Sequence, residues 1–204
     1  MTPAPRRLTR AEAQAETRRR LLDAAFRVCA QRGIQGSSVE AIAEAAGYTK
    51  GAVYSNFGSK DDLLVALFEE RIEGFAEGLV EAIGGDDVDV PAASGSFVGA
   101  AATRHRAHFV LLCEFWSYAA RDPAVRRRFA AGRRRYRALL TEIVEGEAKR
   151  FGVTLPVPAA DVAAGVLALS LGLVLEGLVD RQVDPGAAYR SMLDLVYRGA
   201  LAGS

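Results

Sequence analysis

Hydrophobic positions recur every three or four residues along most of this chain. That spacing is the period of an amphipathic helix, and hardly any stretch alternates as a half-buried strand would. Glycines, prolines and two Asp-Pro pairs interrupt the pattern and divide it into about nine predicted helices. We therefore expect an all-α protein.

The first helices form a recognisable arrangement. One helix is predicted from about Glu16 to Arg32, where Gly33 ends it. Residues 37–62 then read SSVEAIAEAAGYTKGAVYSNFGSKDD, which predicts two short helices around a turn at Gly47, followed by a third helix that Ser59 caps. This pattern is typical of a helix-turn-helix, and it makes double-stranded DNA the leading candidate partner.

The next helix carries one continuous apolar stripe, formed by Leu64, Phe68, Ile72, Phe75, Leu79 and Ile83. At 1.5 Å per residue it would be a rod of roughly 36 Å, long enough to belong to two structural units. A linker is predicted at Gly84–Gly95. Five more helices are predicted at about residues 96–105, 108–120, 123–150, 160–181 and 185–201.

The penultimate helix is apolar all round from Val162 to Leu175, so it must be buried on every side. We expect half of its surface to pack on the protein and half on a second subunit, with the final helix completing a four-helix bundle across a twofold axis. The predicted interface residues are Val162, Val166, Leu169, Leu173, Leu193, Val196 and Tyr197. The alternative is a core helix buried wholly within one chain.

Charge is distributed unevenly along the chain, although its net value is +1. Residues 1–60 hold ten Lys or Arg against five acids, which suits a unit that binds a polyanion. Arg6, Arg7 and Arg10 lie in a predicted flexible arm at residues 1–15. Together with Arg18–Arg20 they either reach the minor groove and flanking phosphates or form a solvated charge run. A second cluster, Arg126–Arg128, Arg133–Arg135 and Arg137, is predicted to be a solvated helix surface.

Other features limit the function classes. Cys29 and Cys113 are expected to be buried free thiols. The longest apolar run falls short of the roughly 20 residues that span a bilayer, and no apolar leader is evident, so a cytoplasmic protein is expected. His105 and His108 have a possible metal-ligand spacing but no obvious third ligand, so exposed or interfacial histidines are expected, with no metal or cofactor. No catalytic constellation is apparent, which argues against an enzyme.

Residues 33–64 resemble the DNA-binding signature of the tetracycline-repressor (TetR/AcrR) family of bacterial regulators. The matching positions are Gly33, Ser38, Ile42, Ala43, Ala46, Gly47, Gly51, Tyr54, Phe57, Lys60 and Leu63. Ser37, Tyr48, Ser55 and Asn56 depart from the usual pattern, and this leaves the operator sequence open.

The resemblance implies roles for individual residues. Ser38 would cap the second helix and also touch a phosphate of the DNA, and Thr49 would bind phosphate at the start of the recognition helix. The other implied DNA contacts are Lys50, Gly51 and Ser55 in the major groove, Tyr54 on the sugar-phosphate backbone, and Lys60 as a second phosphate clamp. The implied domains are residues 16–60 for DNA binding and residues 61–204 for ligand binding and dimerisation.

The family also has an effector pocket among its middle helices, where this chain has the aromatic-rich segment HFVLLCEFWSYAA. The candidate ligand-binding residues are Phe109, Leu112, Cys113, Phe115, Trp116, Phe129, Tyr136 and Glu176; core packing is the alternative for several of them. Glu114 and Glu176 are expected to pair with an arginine or with a polar ligand atom. We expect a homodimeric repressor that a small, largely apolar or aromatic effector releases from a pseudo-palindromic operator. A constitutive DNA-binding dimer and an activator remain alternatives.

Overall fold

A computed structural model of the protein describes residues 9–85 and 87–202, without the side chains of residues 200–202. These residues form nine helices and no strand, which confirms the predicted all-α class. The helices are α1 (Arg10–Gly36), α2 (Val39–Ala46), α3 (Lys50–Phe57), α4 (Lys60–Ile83), α5 (Val90–Arg104), α6 (Arg106–Arg121), α7 (Pro123–Phe151), α8 (Ala159–Val179) and α9 (Pro185–Ala202).

Helix α1 begins at Arg10, earlier than predicted, because a capping box starts it. The Thr9 hydroxyl accepts a hydrogen bond from the Glu12 backbone N–H at 3.2 Å, and the Glu12 carboxylate accepts one from the Thr9 N–H at 2.7 Å. Arg10 is therefore helical, and the predicted flexible arm does not extend to residue 15. Arg6 and Arg7 lie outside the described residues, so their role stays a prediction.

The predicted linker is also shorter than Gly84–Gly95. Asp89 caps α5 by accepting a hydrogen bond from the Ala92 N–H at 2.9 Å, so the helix begins at Val90. Gly95 faces α9, where a Cβ atom would lie 2.8 Å from the Gly186 carbonyl oxygen. Glycine at this position allows α5 and α9 to pack closely.

One hydrophobic core joins the first helices to the rest of the chain. Leu64, Phe68 and Ile72 of α4 are buried in it, as their spacing predicted. The Phe68 ring stacks on Phe115 of α6 at 4.4 Å between centroids, and Phe115 packs edge-to-face on Phe129 of α7. Helix α4 therefore connects the helix-turn-helix to the helices that pack around it.

Helix α8 is less covered than its sequence predicted. Only Ala163, Leu167 and Val174 are buried, while Gly165, Ala168 and Gly172 on the opposite face are exposed. The alternative of a helix buried wholly within one chain is therefore wrong. Ala159–Val179 is also long and apolar enough to span a membrane, contrary to the prediction, with a mean hydropathy of 2.2. The core helix of a soluble protein meets the same criteria.

The two cysteines differ in environment. Cys29 is buried, with its sulfur 3.4 Å from the Ser37 hydroxyl oxygen, as predicted. Cys113 is exposed, so the prediction of a buried thiol is wrong there. It occupies the solvent-facing side of α6, whose opposite side carries the buried Phe109, Leu112 and Phe115.

Candidate functional site

The helix-turn-helix is held together by side-chain caps and a buried inner face. The Ser38 hydroxyl accepts a hydrogen bond from the Ala41 N–H at 3.1 Å, which confirms the cap of α2. Thr49 caps α3 in the same way through Ala52. Gly47 ends α2 at φ +73°, a left-handed conformation that favours glycine. Val53 and Phe57 bury the inner face of α3.

The outer face of α3 is exposed and small. Lys50, Gly51 and Ser55 are exposed, and the Tyr54 side chain is 43% exposed. A Cβ atom on Gly51 would meet only the Thr49 hydroxyl, at 3.6 Å, so the backbone there is open to close approach. Lys50 forms an ion pair with Glu40 of α2, and its ammonium lies 5.7 Å from the Tyr54 ring centroid. This face has the size and the charge that suit a major groove.

Lys60 does not belong to that face. Its ammonium donates hydrogen bonds to the backbone carbonyls of Ile34, at 2.8 Å, and Ser37. A cation at this position satisfies carbonyls at the C-terminal end of α1 and interacts favourably with the helix dipole. We therefore remove Lys60 from the phosphate contacts that the resemblance implied.

The arginines of α1 lie beside the helix-turn-helix and already have partners. The Arg18 guanidinium lies 4.4 Å above the Phe57 ring and donates a hydrogen bond to the Asn56 carbonyl oxygen. Arg19 and Arg20 both pair with Glu16 at 2.7 Å, and these hydrogen bonds lower the pKa of the Glu16 carboxyl. A DNA contact by Arg18–Arg20 would have to compete with these bonds, so it stays a prediction.

Three polar contacts, which we call the junction, join this unit to α6 and α7. The Glu114 carboxylate accepts a hydrogen bond from the Ile34 N–H at 2.9 Å. The Tyr118 hydroxyl donates one to the Asp61 carboxylate at 2.6 Å, which raises the pKa of Tyr118 to about 12. Arg128 of α7 forms an ion pair with Asp62.

From the sequence, Glu114 was expected to pair with an arginine or with a polar ligand atom, and that expectation was wrong. Gly33 has φ +72°, which breaks α1 at this point, and Ile34 follows the break. Its N–H lacks the helical partner and bonds to Glu114 instead. Gly33 indicated that the helix would break here, but the sequence did not show which side chain would accept the hydrogen bond from the Ile34 N–H.

Helices α4 to α9 enclose an apolar space that we call the central cavity, with a volume of about 90 Å³. Phe109, Leu112 and Tyr136 line it, as predicted for a ligand site. Sequence reasoning missed four further lining residues with polar side chains, which are His108, Arg133, Ser170 and Tyr189.

Five of the predicted ligand residues do not line the central cavity. Phe115 and Phe129 are buried in the core, where they pack on each other, and Phe115 also stacks on Phe68. Cys113, Trp116 and Glu176 are exposed, and the Arg133 guanidinium lies 5.3 Å from the Trp116 ring centroid. Helical spacing identified the aromatic segment but not which of its sides faces the cavity.

His108 is buried, with 2% of its surface exposed, so the expectation of an exposed or interfacial histidine was wrong. Its Nδ1 atom has no hydrogen-bond partner among the described residues. Burial and the nearby Arg71 and His105 charges lower the pKa of His108 to about 4. The imidazole is therefore neutral near pH 7. Within the described ranges no cluster of His, Cys, Asp and Glu could hold a metal ion.

A second space, which we call the terminal cavity, has a volume of about 100 Å³ and lies between the end of α4 and helices α5, α7, α8 and α9. Val162, Val166 and Tyr197 line it, and the Tyr197 hydroxyl donates a hydrogen bond to Glu147. Leu193 is buried within the chain, so it is removed from the predicted subunit interface. Val162, Val166 and Tyr197 are half-buried and stay predicted interface residues.

The outward apolar side chains of α9 are Met192, Leu195 and Val196, with exposed fractions of 44%, 62% and 44%. Val196 thus remains in the predicted interface, although it also borders the terminal cavity. Leu169 and Leu173 of α8 are partly exposed and remain candidates.

Both halves of the chain match profiles of known bacterial transcriptional regulators. Residues 21–67 match the profile of bacterial regulatory proteins of the tetR family, and residues 97–198 match the C-terminal domain of BetI-type transcriptional repressors. The regulator AcrR of Shigella flexneri is 46% identical over 63 residues, or 31% of this chain and 29% of AcrR. The fatty acid metabolism regulator of Bacillus subtilis is 40% identical over 63 residues, or 31% of this chain and 32% of that protein. The matches thus span about a third of these curated relatives.

Solved structures share the fold over most of the chain. A TetR-family transcriptional regulator from Rhodococcus sp. has a TM-score of 0.77 and 23% identity, covering 89% of this chain and 98% of that one. FadR of B. subtilis, in complex with stearoyl-CoA, has a TM-score of 0.71 and 23% identity, covering 87% and 96%. A Saccharomonospora viridis regulator in complex with choline has a TM-score of 0.67 and 20% identity, covering 88% and 94%.

The relatives are transcriptional regulators and not enzymes, in agreement with the sequence analysis. The C-terminal profile alone covers half of the chain, and the N-terminal profile covers the helix-turn-helix. The chain belongs to the tetR family of bacterial regulatory proteins.

Proposed function

We propose that this protein is a homodimeric transcriptional repressor of the bacterial cytoplasm that a small, largely apolar effector releases from a pseudo-palindromic operator. The observation that carries the proposal lies in α6. One stretch of that helix lines the central cavity with His108, Phe109 and Leu112, and the next holds the helix-turn-helix through Glu114 and Tyr118.

The outer face of α3 supports DNA recognition. Thr49 lies at the helix N-terminus, where backbone N–H groups favour a phosphate. Lys50, Gly51, Tyr54 and Ser55 offer small or polar groups to base edges and the sugar-phosphate backbone. Two copies related by a twofold axis, about 34 Å apart, would read successive major grooves of one operator.

The central cavity supports effector binding. It is apolar, with a few polar groups, as small-molecule sites usually are. The structural relatives in complex with stearoyl-CoA and choline hold chemically different ligands, so the fold alone does not choose the effector. A ligand that pushed on α6 would move Glu114 and Tyr118 against α1 and α4. Because binding free energies are linked, operator and effector would weaken each other by the same factor, typically 1–3 kcal/mol.

Selection of bound DNA from a random pool tests the proposal. We expect enrichment of a pseudo-palindrome whose half-sites lie about one helical turn apart. Lys50→Ala should weaken binding to the selected DNA about tenfold, because a groove-facing cation is lost. Lys149→Ala, an exposed cation at the far end of α7, is the matched control.

Failure to enrich any sequence, or equal loss in the two variants, would contradict DNA recognition through α3. Selected DNA that stays bound whatever ligand is added would instead favour the constitutive dimer. An effector that strengthens operator binding would favour an activator or a co-repressed regulator.

A further inference from the structure

The central cavity has an unbalanced charge. Arg133 of α7 lines it, and no Asp or Glu of the described chain does, from any of helices α4 to α9. The other polar lining residues are Tyr136, Ser170, Tyr189 and the neutral His108. A cationic ligand would find a like charge here and no counter-ion.

Arg128 and Arg133 are half-buried, whereas the other arginines of α7 are exposed. Arg128 pairs with Asp62 and Arg135 pairs with Glu69, whereas Arg133 forms no ion pair within the described part of the chain. Its guanidinium contacts the Trp116 ring instead, and burial lowers the pKa of Arg133. A partly buried cation without a counter-ion is costly, and a ligand anion would offset that cost.

His108 is a second polar group that lines the same cavity. Its Nδ1 is buried without a hydrogen-bond partner among the described residues, a state that is expensive unless a ligand or water satisfies it. The Arg71 guanidinium is close enough to lower the pKa of His108. An anionic group with a hydrogen-bonding oxygen suits both residues.

The shape of the space indicates the rest of the ligand. The central and terminal cavities share one wall, formed by Leu79, Leu140, Val166 and Tyr189. Each cavity alone, at about 90 and 100 Å³, holds only a small group. Displacement of the shared side chains would give one elongated apolar space with Arg133 and His108 at its central end.

We propose that the effector is an amphiphile with a single anionic group, held by Arg133 and His108, and an elongated apolar body that extends toward the terminal cavity. The proposal rests on the proposed function, because it assumes that the central cavity is the effector site.

The acidic side chains of this region lie elsewhere. Four acidic residues line an open cleft together with two arginines, and His105 and His108 also form part of its wall. The acids are Asp23, Glu70, Glu73 and Glu77, and the arginines are Arg71 and Arg104. A cation would be attracted to that cleft and not to the central cavity. Probes of opposite charge and equal tail length therefore discriminate between the two sites.

Isothermal titration of the full-length protein with decanoate, decanol and decyltrimethylammonium provides the test, together with release of selected operator DNA. We expect decanoate to bind at least about tenfold more tightly than either of the others and to release the operator. Arg133→Gln should remove that advantage and leave decanol affinity unchanged. Arg134→Gln, an exposed neighbour on the same helix, should leave all three affinities unchanged.

Each other outcome is decisive. Equal or tighter binding of decanol or the ammonium probe, with operator release, would overturn the anionic group and leave the proposed function standing. An Arg133→Gln variant that loses decanoate and decanol binding equally would also overturn it, since Arg133 would then only support the fold. Absence of binding by all three probes would overturn both the anionic effector and the central cavity as the site for it.

Discussion

His108 shows what one residue contributes beyond its position in a pattern. Its ring packs among Phe68, Phe75 and Phe109 at centroid distances of 5.0 to 6.1 Å. That apolar surrounding and the nearby Arg71 charge keep the imidazole neutral in the folded protein. In the unfolded chain the same group would have an ordinary pKa near 6.5. The two states therefore bind protons differently between about pH 4 and 6.5.

Acidification should destabilise the fold through this group. As the pH falls below about 6.5, His108 becomes protonated in the unfolded chain but stays neutral in the folded protein until about pH 4. The unfolded state therefore binds more protons, and the free energy of unfolding decreases. We expect a loss of about 2 kcal/mol between pH 7 and pH 5 from His108. Urea denaturation at both pH values should show it, and His108→Phe should remove this part of the pH dependence.

His105→Gln is the control for that measurement, because His105 is exposed and is the smallest of the three causes that lower the pKa of His108, so most of the pH dependence should remain. Equal pH dependence in wild type and His108→Phe would show that His108 is not the group responsible.

The residues that line the central cavity could be predicted from the sequence only in part. Phe109, Leu112 and Tyr136 line the central cavity, as expected for aromatic and apolar side chains of this segment, and their role as ligand residues stays a prediction. Arg133 was predicted to be solvated, since a run of arginines on a helix usually is. Which arginine of a run faces inward depends on the rotation of α7 against its neighbours, and that rotation is set by tertiary packing.

At the scale of the element, the break in helix α1 at Gly33 makes one of the three junction contacts possible. Gly33 adopts φ +72°, and a Cβ atom there would lie 3.2 Å from the Glu114 carboxylate. The same break frees the Ile34 N–H for its bond to Glu114. One glycine thus supports both the end of the helix and its contact with α6.

Gly33→Ala should destabilise the protein by about 1–2 kcal/mol, because alanine is strained at positive φ and its methyl group would crowd the carboxylate. Thermal or urea unfolding measures the loss. Gly36→Ala near the end of the same helix is the matched control, since its Cβ would be at an ordinary distance of 3.5 Å from Arg32. Equal effects of the two substitutions would contradict a special role of the break.

Element boundaries were predicted well where a cap was recognised and poorly where one was missed. Ser38, Ser59 and Asp122 cap helices α2, α4 and α7 as expected. Thr9 and Asp89 were not recognised, so α1 and α5 begin earlier than predicted. A cap is easily overlooked when glycine, proline or basic residues around it suggest a loop.

At the scale of the whole molecule, the exposed apolar face of α8 and α9 is the strongest reason to expect a dimer. Gly165, Ala168 and Gly172 present almost no side chain, so a partner helix could approach closely. Leu195 and Met192 of α9 extend this apolar surface. A monomer would leave it in water, whereas a twofold bundle would cover it.

Leu195→Arg should convert the protein to a monomer, because a charged side chain would be buried in that interface. Size-exclusion chromatography with light scattering at micromolar concentration measures the mass. Val80→Arg, a substitution at an exposed apolar position of α4, should leave the mass unchanged. A wild-type monomer, or a dimer that survives Leu195→Arg, would contradict this interface.

The ion pair between Lys50 and Glu40 has a consequence for the thermodynamics of DNA binding. A free lysine that meets a phosphate displaces a condensed counterion from the DNA, which makes affinity fall with salt. Lys50 would first have to leave Glu40, an anion that then takes up a cation from solution. The cation that Glu40 takes up offsets the counterion that the DNA releases. Binding therefore sets free fewer ions than the number of phosphate contacts suggests. The logarithmic dependence of operator affinity on salt should therefore be shallower than a count of those contacts implies.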